Sequence, residues 1–189
     1  MCDKIYWYNF YKNNNLIKEP SSFCLFIMKY FENNKDLNIL DMGCGNGRDS
    51  LYMSKKYNVT GIDTSLSLDL KNSEKCKFIN ANFCTYDKTN FNFLYSRFSF
   101  HSITNKDHEL LLDSIKPNTY LCIETRSDKN KFDKKYHESN HYRNYTNIDY
   151  LKSLLDKHNF DIIYIEEKNN FAKYKDENPV CIRLISKKI

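Results

Sequence analysis

The chain contains only four glycines, and all four, Gly43, Gly45, Gly47 and Gly61, fall within one 19-residue window. Three of them alternate in Asp41-Met-Gly-Cys-Gly-Asn-Gly47, between a short apolar run from Asn38 and a segment from Arg48 to Tyr57 that reads as a helix. A glycine loop between a strand and a helix lets backbone N–H groups and a helix N-terminus approach a nucleotide. Such a loop alone is a weak signal. Here Val59-Thr-Gly-Ile-Asp63 reads as a second strand and ends in a carboxylate 20 residues after Gly43, where it can accept both hydroxyls of a ribose. The two features together restrict the chain to an α/β layer fold with a nucleotide site at the carboxyl ends of its strands.

Charge selects the nucleotide. A loop that approaches a pyrophosphate would suffer repulsion from Asp41 at its entry. S-adenosylmethionine has no phosphate and carries an ammonium and a sulfonium, both of which Asp41 attracts, while the glycines let the backbone come close. The spacing is also GxGxG and not the GxGxxG of dinucleotide loops.

The rest of the chain continues the alternation. Phe23, Phe26, Ile27, Tyr30 and Phe31 give a first amphipathic helix from about Ser21 to Asn33. Lys77–Asn80, Phe91–Arg97 and Tyr120–Glu124 read as strands three to five, with a helix around Leu110, Leu111 and Ile115 ending before Pro117. A helix at Ile148–Leu155 and two consecutive strands, Phe160–Ile165 and Val180–Ile185, close the chain. Strands alternating with helices mean a mainly parallel sheet. At 189 residues the chain has room for one domain. We divide it into an N-terminal lid and helix (1–36), a cofactor-binding core (37–125), a polar segment that covers the substrate (126–147) and the closing helix and strands (148–189).

Composition excludes several classes. With 41% hydrophobic and 28% charged residues the chain can build a packed core, so disorder, collagen and coiled coil are ruled out. No apolar run approaches the ~18 residues of a membrane span, and the N-terminus lacks the apolar stretch of a signal peptide. Seven cysteines form no CxxC pair and no metal-ligand spacing with histidine, which predicts reduced thiols, a cytoplasmic location and no metal site. The net charge of +5 suits an anionic small substrate or nucleic acid and selects neither. It sets no oligomeric state.

On these residues the sequence resembles the class I S-adenosylmethionine-dependent methyltransferases. Ile39-Leu-Asp-Met-Gly-Cys-Gly-Asn-Gly47 is similar to that family's first motif and Val59-Thr-Gly-Ile-Asp63 to its second. The resemblance implies a single-domain, Rossmann-like, seven-stranded sheet, mainly parallel with an antiparallel last strand. It implies S-adenosylmethionine as cofactor, S-adenosylhomocysteine as product, and cofactor contacts from Asp41, Gly43, Cys44, Gly45, Arg48 and Asp63. Asn82 and Phe83 stand where the family places an Asp and an aromatic residue against adenine; Asn82 departs from the pattern, though its amide oxygen can still accept the bond. The Asn-Pro-Pro-Tyr signature of amino-methylating nucleic-acid enzymes is absent. Tyr6-Trp7, Glu19-Pro-Ser-Ser, Gly47-Arg-Asp-Ser50, His141-Tyr-Arg143, Phe171-Ala-Lys-Tyr and Asn178-Pro-Val also resemble small bacterial methyltransferases associated with capsule and surface-polysaccharide genes.

The residues expected near the transferred methyl follow strands four and five or lie in segments that cover them. His101 and His141 are the candidate bases, each of which could instead be an ordinary loop histidine; His137 is a third. Glu124 either takes a proton, orients a histidine or pairs with Arg126. Lysine outnumbers arginine 24 to 5, so each arginine is informative, and Arg97, Arg126 and Arg143 are expected to hold a phosphate or carboxylate or else to form surface ion pairs. The aromatic start from Tyr6 to Tyr11 is expected to fold over the cofactor and exclude water or else to pack against the first helix, and Tyr6 is a candidate substrate contact. Arg48 and Asp49 either contact the methionine end of the cofactor or serve the helix. The expected activity is O-methylation of a small anionic or sugar-linked acceptor in capsular or surface-polysaccharide synthesis. The alternatives are a nucleic-acid or protein methyltransferase and a non-catalytic cofactor-binding partner subunit.

Overall fold

A computed structural model describes residues 4–13, 18–66, 70–130, 141–173 and 177–189. Its elements run α1 (Lys4–Asn13), α2 (Ser22–Tyr30), β1 (Asn38–Met42), α3 (Arg48–Met53), β2 (Asn58–Asp63), β3 (Cys76–Asn80), β4 (Phe93–Arg97), a 3-10 turn (Phe100–Ser102), α4 (Asn105–Asp113), β5 (Tyr120–Arg126), α5 (Ile148–Lys157), β6 (Phe160–Lys168) and β7 (Cys181–Lys188). The seven strands form one sheet in the order β3-β2-β1-β4-β5-β7-β6. Strands β1 to β5 are parallel, and β7 inserts antiparallel to both β5 and β6. The sheet is therefore the expected one, with a single reversed strand.

Alternation along the strands divides the core between two faces. Leu40, Met42, Leu94, Leu121 and Ile123 pack with Leu111 and Leu112 of α4 and Leu151, Leu154 and Leu155 of α5. Ile39, Phe93 and Tyr95 point the other way, into a layer with Phe23 and Ile27 of α2 and Met53 of α3. Both faces of the central strands are thus buried, which the near-continuous apolar runs require. Side-chain caps set where the helices begin: Ser21 accepts from Cys24 N at 3.0 Å, Asn147 from Tyr150 N at 2.8 Å, and Thr104 forms a capping box with Asp107.

Some boundaries differ from expectation. The first predicted helix stops at Tyr30, and the helix after the glycine loop stops at Met53, because Tyr57 turns back to donate to Phe31 O and Asn34 O, both at 2.9 Å. The aromatic segment from Lys4 is a helix, which its composition did not announce. Between β3 and β4 the chain returns through turns, with Asn82 O accepting from Tyr86 N at 3.0 Å.

Candidate active site at the carboxyl end of the sheet

The glycine loop leaves β1 with Gly43, Gly45 and Gly47 all at positive φ (78°, 56° and 72°), a region that L side chains avoid. Close packing adds a second reason. A Cβ on Gly43 would fall inside the Ser99 side chain, one on Gly45 would lie 2.5 Å from the Tyr11 hydroxyl oxygen, and one on Gly47 would lie 2.6 Å from Leu70 Cδ2. The loop is held by Gly43 N and Cys44 N, which donate to Ile62 O at 2.7 and 3.0 Å. The Cys44 side chain is buried beneath the loop, so what this residue offers a ligand is backbone.

Two carboxylates flank the loop. Asp63 Oδ2 accepts from Gly45 N at 3.0 Å and Oδ1 from Ser65 N at 2.8 Å, so the acid at the end of β2 is locked to the loop it serves. Each of its oxygens keeps lone-pair capacity. Asp41 is buried on β1 and accepts from Ser50 Oγ at 2.5 Å. Burial pushes its pKa up to about 8, with Asp49 and Asp63 acting in the same direction and the Ser50 hydrogen bond and Arg97 against it. Two carboxyl groups beside a backbone cradle suit a cationic ligand with a ribose, because a cation favours the ionised form of Asp41 that burial opposes. The donor set therefore fits S-adenosylmethionine.

At the adenine end, Asn82 is exposed and its Oδ1 accepts from Cys84 N at 2.9 Å, while Phe83 is half-buried against the core. The amide oxygen thus shapes the turn first and has one lone pair left. Arg48 opens α3 with its Nε 3.9 Å from Asp49 Oδ1, and burial and the nearby Arg97 lower its pKa. Asp49 faces inward. It accepts from Ser21 N, Ser21 Oγ and Tyr95 Oη, each at 2.7 Å, joining α2, α3 and β4.

A second cluster adjoins the loop beyond β4 and β5. Arg97, Glu124 and Arg183 stand opposite one another on β4, β5 and β7. Glu124 is fully buried, with Oε1 accepting from Arg97 Nε at 3.0 Å and Oε2 from Arg183 Nε at 2.7 Å. Arg183 also donates to Ser22 Oγ at 2.8 Å and Phe171 O at 3.1 Å. The pairing of Glu124 with Arg126 contemplated from sequence does not form. Arg126 pairs instead with Glu177 at 2.9 Å and lies 5.6 Å over the Phe98 ring, whose other neighbour is Arg97 at 4.4 Å. Phe98 itself takes φ 58°, a strained turn that brings the following residues back over the sheet.

His101 is buried in the 3-10 turn, which α4 anchors through His108 Nε2 to Phe100 O at 2.9 Å. Its Nδ1 accepts from Arg126 N at 3.3 Å, with Thr125 Oγ1 at 3.4 Å. Burial lowers its pKa well below the usual histidine range, reinforced by Arg126, Arg143, His141 and Arg97. The segment entering α5 is tied to this turn by Asn144 N, which donates to His101 O at 2.6 Å. That tie brings in His141, which is buried against the Tyr6 ring at 4.5 Å and the Trp7 ring at 5.3 Å, and Arg143, whose Nε donates to His141 Nε2 at 3.0 Å.

The structure thus gathers Tyr6, Arg97, His101, Glu124, Arg126, His141 and Arg143, spread over more than 130 residues of sequence, at one end of the sheet. His137 lies outside the described residues. Sequence reasoning missed Phe98 and Arg183. Arginine scarcity pointed to Arg183, but its place inside an apolar strand hid it. Among the described residues no group of three His, Cys, Asp or Glu side chains is placed to share a metal ion, the six described cysteines are free and buried, and no helix is long and apolar enough to cross a membrane.

The fold is shared with solved methyltransferases. A Methanosarcina mazei S-adenosylmethionine-dependent methyltransferase is 22% identical, with a TM-score of 0.67 over 87% of this chain and 97% of that one. One from Anabaena variabilis is 15% identical, with a TM-score of 0.75 over 98% and 93%. The Burkholderia thailandensis 1,6-didemethyltoxoflavin-N1-methyltransferase, crystallised with that compound and S-adenosylhomocysteine, is 13% identical, with a TM-score of 0.68 over 95% and 84%. No curated protein matches the sequence significantly. The methyltransferase domain family matches residues 15–165, which take in the glycine loop, both flanking carboxylates and the arginine–histidine cluster up to Arg143. The chain belongs to the methyltransferase domain family and is an S-adenosylmethionine-dependent enzyme.

Proposed function

We propose that the protein methylates an oxygen of a small anionic or sugar-linked acceptor. The observation that carries this reading is the convergence of Arg126 and Arg143, with Arg97 behind them, on the aromatic and histidine surface beside the glycine loop. When bound, S-adenosylmethionine supplies a methyl group already activated by its sulfonium, so what remains is to place an oxygen near it and exclude water. Asp41 and the loop hold the methionine end, and Asp63 the ribose. Arg126 and Arg143 orient the acceptor through planar, charge-assisted hydrogen bonds. Helix α1 acts as the cover: its Tyr11 lies on Gly45 and its Tyr6 on His141. Glu124 acts by positioning Arg97 and Arg183.

Arginines gathered at one end of the sheet favour a small anion over a nucleic acid, which would need a basic face spread around the site. An intact cradle together with this cluster argues against a non-catalytic partner subunit. The sugar-linked acceptor and a role in capsular or surface-polysaccharide synthesis rest on the sequence resemblance, and a cytoplasmic location on the free, buried cysteines.

With labelled cofactor and panels of acidic and neutral acceptors, Arg126→Lys and Arg143→Lys are each expected to lower kcat/KM for the acidic acceptor roughly ten- to a hundredfold, a loss of about 1.5–3 kcal/mol, with cofactor affinity unchanged. Efficient methylation of a neutral acceptor by both variants would refute the assignment.

A second expectation concerns pH. The cofactor ammonium favours ionised Asp41, whose ligand-free pKa of about 8 leaves it mostly protonated at neutrality, so binding releases a proton. Affinity is expected to rise up to roughly tenfold per pH unit from 6 to 8. Calorimetry in buffers of different ionisation enthalpy reads that proton, and Asp41→Asn should abolish its release.

A further inference from the structure

We infer that the acceptor reacts as a preformed oxyanion, a carboxylate or phosphate, and that neither His101 nor His141 acts as its base. The inference rests on the methyltransferase reading above and follows from which atom each ring nitrogen faces. His101 Nδ1 receives the backbone N–H of Arg126 at 3.3 Å, and His141 Nε2 receives Nε–H of Arg143 at 3.0 Å. Backbone amides and guanidinium groups only donate. Each contact therefore uses a nitrogen lone pair, and in the neutral ring the proton sits on the opposite atom, Nε2 of His101 and Nδ1 of His141. A nitrogen that already carries hydrogen cannot take the acceptor's proton. Taking it on the other nitrogen would set N–H against N–H.

The surroundings hold the His101 ring neutral. His101 is buried among Arg97, Arg126, Arg143 and His141, and its pKa is lowered accordingly. Of the carboxylates nearest this cluster, Glu124 has both oxygens committed to Arg97 and Arg183, and Glu177 is paired with Arg126 at 2.9 Å. Asp49 accepts three hydrogen bonds from Ser21 and Tyr95, and burial beside Asp63 and Asp41 pushes the Tyr11 phenol upward. Four arginines, Arg97, Arg126, Arg143 and Arg183, against the two paired carboxylates Glu124 and Glu177 leave the described cluster net cationic, the environment that stabilises an oxyanion and opposes deprotonation of an alcohol.

The balance is simple. An acceptor oxygen lone pair forms the O–CH3 bond, the S–CH3 bond breaks with its electrons returning to sulfur, and no proton moves. An alcohol acceptor would have to release one proton per turnover.

Two measurements test this. In nitrogen-15 NMR of the cofactor-bound protein, His101 is expected as the Nε2–H tautomer, unchanged from pH 6 to 8, and His141 as the Nδ1–H tautomer. Titration of His101 in that window, or the opposite tautomer of either ring, would overturn the inference even if methyl transfer is confirmed. In turnover with sugar acids, sugar phosphates and their neutral parents, His101→Gln and His141→Asn, which keep an N–H near the inferred donor atoms, are expected to stay within about tenfold of wild-type kcat. Loss of a true base costs roughly 10²–10⁴-fold. Methylation of the neutral parent with proton release would also overturn the inference. Transfer to nitrogen or to a polymer, with both tautomers as assigned, would instead sink the acceptor class.

Discussion

Asp63→Ala is expected to bind S-adenosylmethionine at least about a hundredfold more weakly than the wild type while keeping its fold. The carboxylate stands at the carboxyl end of β2, where each oxygen already holds one backbone N–H, Gly45 at 3.0 Å and Ser65 at 2.8 Å. Removing it takes away the acceptor for two ribose hydroxyls and frees the loop that cradles the ligand. Charge-assisted hydrogen bonds contribute about 1.5–3 kcal/mol each, so the loss of two accounts for the hundredfold change before any loosening of the loop is counted. The strand pairs through its backbone with β1 and β3, so circular dichroism should change little, while the melting temperature falls with the loss of the Gly45 and Ser65 hydrogen bonds. Asp63→Asn, which keeps one oxygen acceptor, should fall between the two. Retained cofactor affinity in the alanine variant would place the ribose elsewhere.

Glu124→Ala is expected to damage the fold itself, by about 3–5 kcal/mol, because it leaves two guanidinium groups inside the protein without their shared carboxylate. Arg183 is nearly buried and Arg97 mostly so, with side-chain exposures of 7% and 20% against 0% for Glu124. For a domain of this length the loss corresponds to a drop in melting temperature of roughly 6–20 °C. A general base would behave otherwise. Its removal would leave stability intact and erase kcat, so thermal unfolding together with single-turnover kinetics separates the two roles. Normal stability with lost turnover would return Glu124 to the reacting atoms.

These two residues also mark how far local information reaches. The glycine loop was legible because its constraints are local: three backbone positions at φ 56–78° favour glycine, and the strand that follows places Asp63 at a spacing the βαβ unit sets. The strand order was legible for the same reason, since each apolar run carries its own periodicity. The seven-stranded sheet with a reversed last strand is found as expected.

The acceptor side was legible only as a set of residue types. Glu124 and Arg126 lie two apart on one strand and looked like a pair. The partner of Glu124 is decided by cross-strand register, which puts Arg97 and Arg183 directly beside it, and that register exists only once β7 inserts between β5 and β6. Likewise, α1 carries an aromatic composition that fits many packings. That Tyr11 lies on Gly45 and Tyr6 on His141 depends on how the helix docks. The sequence alone determined the sheet and the cofactor cradle, because backbone conformation and hydrophobic period are properties of short segments. Which charges meet, and which nitrogen of His101 is occupied, was decided by tertiary structure alone, because those contacts join residues from 25 to 59 positions apart whose distance is set by the packed sheet and not by the chain between them.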